Sequence, residues 1–443
     1  METGVVISLV IFLLGIAVGV PLGWVFLGST ALGMILLGSP LSFMAGTFFH
    51  SLFTPVVMAI GFFVFAGALI SEAGLADRIV RFSYALVGKV KGGLIVVGII
   101  ATLFMSALTG SSVPCISALI PLLVPRLEKY GYKRSYTTAV LCSSSFLGYL
   151  IPPSVPALIY CLVAQQSVAA LFLATVFPGL LLAIGYGILN YFIVDKYTFE
   201  ATEMPERPET LKDSLKELLS ASWAALPALG CPVLILVGIY GGICTPNEAG
   251  ALAVFYCIFV GVFIYRDLKW GNFRRATTNT LITLGMIALL LGGGTVLTRY
   301  LTLQGVAQSL AALMLGLFEN KYLILISINV FLLLLGMFLD GIPILILAVP
   351  LIMPLAKELD INMVHLGSMI ILNIGLGVMT PPFAMSIFVG SRLSGVPAGE
   401  LMKPMLMYLV FVGIPVLLIT TYVPFISCWL PTVALGSQIV GPW

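Results

Sequence analysis

Charge is the scarcest property of this chain. Asp, Glu, Lys and Arg make up 9% of its 443 residues, against 60% hydrophobic residues. A soluble globular chain carries about 25% charged residues, so a fold solvated by water alone is excluded. Histidine is nearly absent: His50 and His365 build neither a metal cluster nor a proton relay. The seven cysteines (Cys115, Cys142, Cys161, Cys231, Cys244, Cys257 and Cys428) are scattered through apolar segments without a C-x-x-C pair. They read as small buried hydrophobes rather than metal ligands or disulfides. No G-x-x-x-x-G-K-S/T motif occurs, so this chain does not hydrolyse ATP. No paired carboxylates, Ser/Lys pair or His-rich site supports an intramembrane enzyme. The net charge of +3 sits in short loops with no basic block, which excludes nucleic acid as a partner.

What the chain has in abundance is apolar sequence. Mean hydropathy is +1.14. Runs at 5–20, 93–108, 171–192, 281–296 and 323–339 approach or exceed the length that crosses a bilayer, about 20 residues. The first run lacks a basic n-region and a small-residue cleavage pattern, and a second apolar segment follows it. It reads as a membrane span, not a removable signal. The expected fold class is an all-α polytopic membrane protein.

The strongest internal signal is a ladder of prolines that occurs twice. Pro114, Pro121, Pro125, Pro152 and Pro153 recur as Pro343, Pro350, Pro354, Pro381 and Pro382, each pair offset by 229 (343 − 114 = 229). Gly74 and Gly110 recur as Gly305 and Gly341 at an offset of 231 (305 − 74 = 231). A fixed offset held over some 80 residues is internal duplication. In an apolar chain, halves with paired Gly/Pro breaks are the mark of a secondary transporter.

Basic residues indicate how the halves face the membrane. Loop 75–93 holds Arg78, Arg81, Lys89 and Lys91, and loop 126–134 holds Arg126, Lys129, Lys133 and Arg134. The matching loops 306–322 and 355–363 hold only Lys321 and Lys357. Under the positive-inside rule, equivalent loops lie on opposite sides, so the repeats have inverted topology. Between them, 195–217 is charged and reads as a cytoplasmic linker or a surface-lying helix. The loop with Arg266, Lys269, Arg274 and Arg275 is also cytoplasmic on this reading, and both termini fall on the outer face.

Too little chain separates the two basic loops of the first half for two full crossings. Segment 93–108 goes in, Thr109-Gly110-Ser111-Ser112 turns, and 115–124 comes out on the same side, as a re-entrant hairpin. Its mate is built from 322–339, Asp340-Gly341-Ile342 and 345–353. The expected organisation is repeat one at 1–195 (scaffold 1–72, hairpin and broken helix 93–165) and a linker at 196–220. Repeat two follows at 221–443, with scaffold 221–303, hairpin and broken helix 322–392 and a terminal helix 404–430.

Each hairpin is followed by a second break, Gly148-Tyr149-Leu150-Ile151-Pro152-Pro153-Ser154 and Gly375-Leu376-Gly377-Val378-Met379-Thr380-Pro381-Pro382. A Pro-Pro pair removes two backbone donors and frees upstream carbonyls, so the helix unwinds there. Freed carbonyls with Ser or Thr hydroxyls make an oxygen cage for a small cation such as sodium. The half-helix beyond points its positive end into the same cavity. Two cation sites related by a pseudo-twofold axis are expected; the alternative is that these prolines are plain kinks. Asp340, the one carboxylate at a tip, would ligate sodium, cap the next half-helix or orient the substrate cavity. Arg299 would hold a carboxylate or sulfonate, or else anchor its helix at the interface. Thr245-Pro246-Asn247-Glu248 reads as a helix-starting capping box. Arg392 reads as an anchor, and Asn373 and 143–145 as packing residues.

Several stretches, taken together and in order, resemble a known family. They are Leu108-Thr109-Gly110-Ser111-Ser112, Leu150-Ile151-Pro152-Pro153-Ser154-Val155-Pro156, Thr245-Pro246-Asn247-Glu248-Ala249, Gly336-Met337-Phe338-Leu339-Asp340 and Thr380-Pro381-Pro382. The likeness is to the large membrane subunit of tripartite ATP-independent periplasmic (TRAP) transporters. It extends to the ending Ile426-Ser427-Cys428-Trp429-Leu430-Pro431. The resemblance implies a sodium-driven importer of organic acids in the inner membrane, working by an elevator movement. It also implies a small four-helix membrane subunit and a periplasmic substrate-binding protein as partners, and sodium as the coupling ion with no cofactor.

By the same resemblance, one sodium would be held near Gly110, Ser111, Ser112, Leu150 and Pro152, and a second near Asp340, Gly341, Gly377, Met379 and Thr380. Substrate would meet Arg299, Ser154, Asp340 and Thr380. The chain departs from the family pattern at two places. Leu303 stands where many relatives carry an arginine, and Ser112-Val113-Pro114-Cys115 lacks the aspartate that often follows the tip serines. A small anion with one acidic group, carboxylate or sulfonate, is expected. A stand-alone sodium/dicarboxylate carrier is the alternative.

Overall fold

The computed structural model describes residues 3–87, 92–201, 211–318, 320–381 and 384–443. Lys89 and Lys91 of the first basic loop, Glu203, Glu206, Arg207 and Glu209 of the linker, and Pro382 lie outside the described residues. The first half contains α1 (Thr3–Ala17), α2 (Leu22–Leu36), α3 (Ser42–Leu52), α4 (Pro55–Glu72), α5 (Leu75–Val87) and α6 (Gly93–Thr109). It continues with α7 (Ser112–Lys129), α8 (Arg134–Ser145), α9 (Leu147–Leu150), α10 (Val155–Ala164) and α11 (Val168–Ile193). The second half opens with α12 (Leu211–Tyr240), α13 (Pro246–Phe259), α14 (Trp270–Leu303), α15 (Val306–Leu317), α16 (Lys321–Phe338) and α17 (Gly341–Glu358). It closes with α18 (Met363–Val378), α19 (Met385–Ser394), α20 (Ala398–Tyr408), α21 (Ile414–Tyr422), α22 (Phe425–Leu435) and α23 (Ser437–Val440).

In lipid every backbone polar group must be satisfied within the chain, and helices do this segment by segment. Eight of these helical segments are long and apolar enough to cross a membrane, and the pair Arg134–Leu150 and Val155–Ala164, bent by 40° at its break, makes a ninth. Local chemistry fixes where helices begin. Thr245 and Glu248 form the expected capping box, with Pro246 opening α13. The Ser167 and Asn362 side chains accept from the first free amides of α11 and α18.

The duplicated ladder reappears in the helix bounds. The second hairpin arms begin at Ser112 and Gly341 (341 − 112 = 229), and the helices after them at Arg134 and Met363 (363 − 134 = 229). Packing is exchanged in the same sense: α7 lies on α19, and α17 lies on α10.

Three features differ from the sequence reading. Segments 75–93 and 306–322, expected as loops, are largely the helices α5 and α15. Counting basic residues reports sidedness, and it is blind to a short helix that carries its charges on one face. The hairpin arms are also longer than half-crossings. The outgoing arms α7 and α17 are 18 residues each, because Pro121, Pro125, Pro350 and Pro354 are absorbed inside continuous helices, whereas α16 has the length expected of it. Residues 211–220, assigned to the linker, already belong to α12.

Helices α1 and α2 and the end of α14 share a small core of their own, with Val5, Phe12, Val25, Phe26, Met34, Leu297, Tyr300 and Leu301. The hairpins and broken helices are knit by buried polar contacts. Asn190 Nδ2 donates to the Gly92 carbonyl at 3.1 Å, the Tyr136 hydroxyl donates to Asn190 Oδ1 at 2.8 Å, and the Tyr136 and Tyr408 hydroxyls are 2.9 Å apart. This ties the base of the first hairpin to α8, α11 and α20. Asn373 Nδ2 donates to both the carbonyl and Oδ1 of Asn329 at 2.9 Å, so it packs α18 on α16.

Candidate functional site: two hairpin tips at two helix breaks

The first tip is a turn that only glycine can make in this surrounding. Gly110 has φ +61°, in the left-handed region, and an added Cβ would lie 2.5 Å from the Pro153 carbonyl oxygen. The Val155 amide donates to the Gly110 carbonyl at 3.3 Å, stitching the tip to the first turn of α10. The Ser111 backbone lies against Gly148, where an added Cβ would come within 3.1 Å of it. Thus the amino ends of α7 and α10 meet at one buried spot beside the carboxyl ends of α6 and α9. Ser112 and Leu150 are buried there, and Pro152 stands in the break, joined to Pro153 by a cis peptide.

The second tip is built on the same plan with different side chains. Asp340 occupies the N-cap position of α17 with extended backbone, and its side chain makes no capping bond. Gly336 of α16 and Gly377 of α18 touch backbone to backbone: a Cβ on either would lie 2.6 Å from the other's Cα. A Cβ on Gly341 would meet Ile374 at 3.1 Å and the Tyr149 ring at 3.3 Å.

That last contact joins the two tips. The Ser112 hydroxyl donates to the Tyr149 hydroxyl at 3.5 Å, and Tyr149 donates to Asp340 Oδ1 at 3.4 Å. Both bonds are long for O–H···O, so the three groups face one another loosely across a shared space. Tyr149 lies inside the first quoted break, but its role as the bridge was not read from the sequence. Its only signal was a phenol immediately before a Pro-Pro unwinding point in an apolar helix.

Two hairpin tips, one seated in the break between α9 and α10 and the other packed against the end of α18 and Tyr149, define an architecture rather than a chemistry, and comparison with known proteins supplies the family. Residues 9–426 match the model described as "Tripartite ATP-independent periplasmic transporter, DctM component". The chain belongs to the DctM family. Its relatives include the isethionate TRAP transporter permease protein DctMQ of Oleidesulfovibrio alaskensis, 33% identical over 94% of this chain. The chain spans 64% of the length of that relative. The C4-dicarboxylate TRAP transporter large permease protein DctM of Vibrio cholerae is 34% identical, over 87% of each chain. Among solved structures, the YdaH transporter of Alcanivorax borkumensis shares the fold, with a TM-score of 0.62 at 13% identity, covering 97% of this chain and 99% of that one. These are transport proteins, so the chain is a multi-pass membrane protein of a transporter family and not of an enzyme family.

Within this DctM fold the sequence-predicted residues divide. Gly110, Ser111, Ser112, Leu150 and Pro152 come together at the first tip; Asp340 and Gly341 form the second, with Gly377 against Gly336 beside it, while Met379 and Thr380 follow at the end of α18, where Met379 Sδ accepts from the Tyr186 hydroxyl at 3.5 Å. The Ser154 hydroxyl is already engaged, donating to the Tyr149 carbonyl at 2.6 Å and accepting from the Ala157 amide at 3.3 Å as the cap of α10. The Thr380 hydroxyl turns back onto the Leu376 carbonyl at 2.6 Å. Arg299 is exposed on α14, its guanidinium carbon 5.8 Å from the centre of the Phe43 ring. It makes no hydrogen bond or ion pair with either tip among the described residues.

Proposed function

We propose that this chain is the membrane-crossing permease of a binding-protein-dependent TRAP system, importing a small organic anion by sodium symport. The observation that carries the reading is the Ser112–Tyr149–Asp340 contact, which joins both tips at one buried place. The donors available there are backbone carbonyls, hydroxyls and one carboxylate. An all-oxygen set suits a hard cation such as sodium. In this reading the two sodium sites are the two residue groups around Gly110 and Gly341. The amino ends of α7, α10, α17 and α19 then favour the negative group of a substrate in the same space.

The outer helices α1–α4 and α12–α14 act as the scaffold, and the hairpin and broken-helix group moves past it as an elevator. Support comes from the junctions. Gly74 between α4 and α5 has φ +67°, and Gly305 between α14 and α15 has φ +70°, so the two connecting arms start from matched left-handed turns. Exposed apolar residues such as Trp223, Val233, Phe255 and Phe259 offer a surface to lipid and to a small four-helix membrane subunit. A periplasmic binding protein delivers the anion. The chain lies in the bacterial inner membrane with both termini outside. The named cargoes of its relatives, isethionate and C4-dicarboxylates, are organic anions and agree with a carboxylate or sulfonate here.

The test is uptake of labelled isethionate, monocarboxylates and C4-dicarboxylates into proteoliposomes holding this chain with its small partner. Uptake that needs both a sodium gradient and the binding protein is expected. Sodium-driven uptake without the binding protein would point instead to a stand-alone carrier. Uptake indifferent to sodium would remove the cation sites from the mechanism.

A further inference from the structure

The arm α5 lies over a cavity of about 500 Å³ that the transport reading does not use. Its wall is made by Asp77, Val80, Arg81 and Tyr84 of the arm, by α6 and α7 at the base of the first hairpin, and by Glu217 of α12. A second cavity of about 520 Å³ adjoins it through Asp77 and Arg81.

The charges in the first cavity are unusual for this protein. The other arginine of the arm is fully engaged. Arg78 pairs with Asp267 at 2.8 Å, donates to the Gly74 carbonyl at 3.0 Å and lies 3.9 Å over the Tyr265 ring. Arg134 pairs with Glu128, and Arg275 with Glu72. Arg81 and Arg126 form no ion pair with any described residue, and neither do Asp77 and Glu217. Two cations and two anions thus share one cavity without neutralising each other. Beneath them the lining is apolar and buried, with Val80, Leu94, Val97, Leu123 and Leu127.

We propose that this cavity holds the headgroup of an aminophospholipid, with its phosphate on Arg81 and Arg126 and its ammonium on Asp77 and Glu217. A zwitterion matches two separated charges of each sign, where a simple anion would leave the carboxylates facing it. The apolar floor gives the acyl chains a path, which a soluble phosphate would not need. The site faces the side rich in arginine, where headgroups meet basic pockets between membrane helices. The lipid would wedge between the arm and the hairpin base, two elements that separate if the hairpin moves. The inference rests on the membrane-spanning character of the chain and not on sodium coupling.

The test is native mass spectrometry of the full-length chain with phosphatidylethanolamine, phosphatidylcholine and phosphatidylglycerol of identical acyl chains. One phosphatidylethanolamine should be retained about tenfold more strongly than either competitor, since losing one charge-assisted contact is worth about that factor. R81Q/R126Q should weaken retention of all three lipids, which share the phosphate, and D77N/E217Q should abolish the preference and shift retention toward phosphatidylglycerol. Equal retention of phosphatidylethanolamine and phosphatidylcholine by the unmodified chain would overturn the proposal, whatever the variants do. Displacement by free phosphoethanolamine at equal concentration would show a soluble ligand and overturn it as well.

Discussion

Replacing Gly110 by alanine places a methyl group in a turn with φ +61° and 2.5 Å from the Pro153 carbonyl oxygen. Two costs combine. An L-residue in the left-handed region loses about 1–2 kcal/mol relative to glycine. Forcing an atom into a packed contact that only backbone movement can relieve adds about 1–3 kcal/mol. Gly242 separates the two, because its φ is +65° and an added Cβ there meets nothing within 4 Å. Gly242→Ala should therefore carry only the backbone strain, while Gly110→Ala loses about 2–5 kcal/mol in all. Relief at Gly110 must also stretch the Val155–Gly110 hydrogen bond, so the hairpin tip shifts against the break. The assay pairs thermal unfolding of detergent-solubilised protein with proteoliposome uptake. Gly110→Ala should unfold at lower temperature than Gly242→Ala and lose uptake in whatever protein remains folded. Equal unfolding temperatures, or normal uptake by Gly110→Ala, would refute the packing argument.

Removing the hydroxyl in Tyr149→Phe breaks the bridge between the tips at little cost in folding, since both bonds are long. Half-saturating sodium should rise about 2–10-fold, the equivalent of one modest hydrogen bond of about 0.5–1.5 kcal/mol, measured by uptake against sodium concentration. Ser154→Ala deletes the cap of α10 and strands the Ala157 amide, for a stability loss of about 1 kcal/mol in thermal unfolding. Arg299→Ala should leave the half-saturating substrate concentration unchanged, because the side chain sits beside Phe43 at the protein surface. Asp340→Asn removes the one carboxylate at the tips and should move selectivity toward dianions, read by competition between monocarboxylates and dicarboxylates.

The breaks were legible in the sequence because proline and glycine act on the backbone wherever they stand. Pro152 and Pro153 unwind their helix without help from a neighbour, and the 229-residue offset carried that inference to the second half. Tyr149 was not legible, because its part comes from a meeting with Asp340, 191 residues away. Ser154 and Thr380 show the opposite difficulty. A hydroxyl beside a break looks free for a ligand in the sequence, yet each spends its proton on a backbone carbonyl of its own segment. Arms α5 and α15 escaped for a simpler reason: helices of 13 and 12 residues have neither the length of a span nor the composition of a loop.

The two tips are alike in backbone and unlike in charge, and this asymmetry bears on what can be carried. Tip one offers the Ser112 hydroxyl where tip two offers the Asp340 carboxylate, both within reach of one phenol. A duplicated fold with a neutral serine at both tips would hold two sodium ions at a net charge of +2 and suit a dianion. A single carboxylate reduces that to +1, which one carboxylate or sulfonate neutralises on arrival. In a site cut off from water an unbalanced charge is expensive, so cations and anion would enter as a set and leave as a set. On the proposed sodium-symport reading, coupling would then follow from electroneutrality at the tips, with the Tyr149 hydroxyl standing between Ser112 and Asp340.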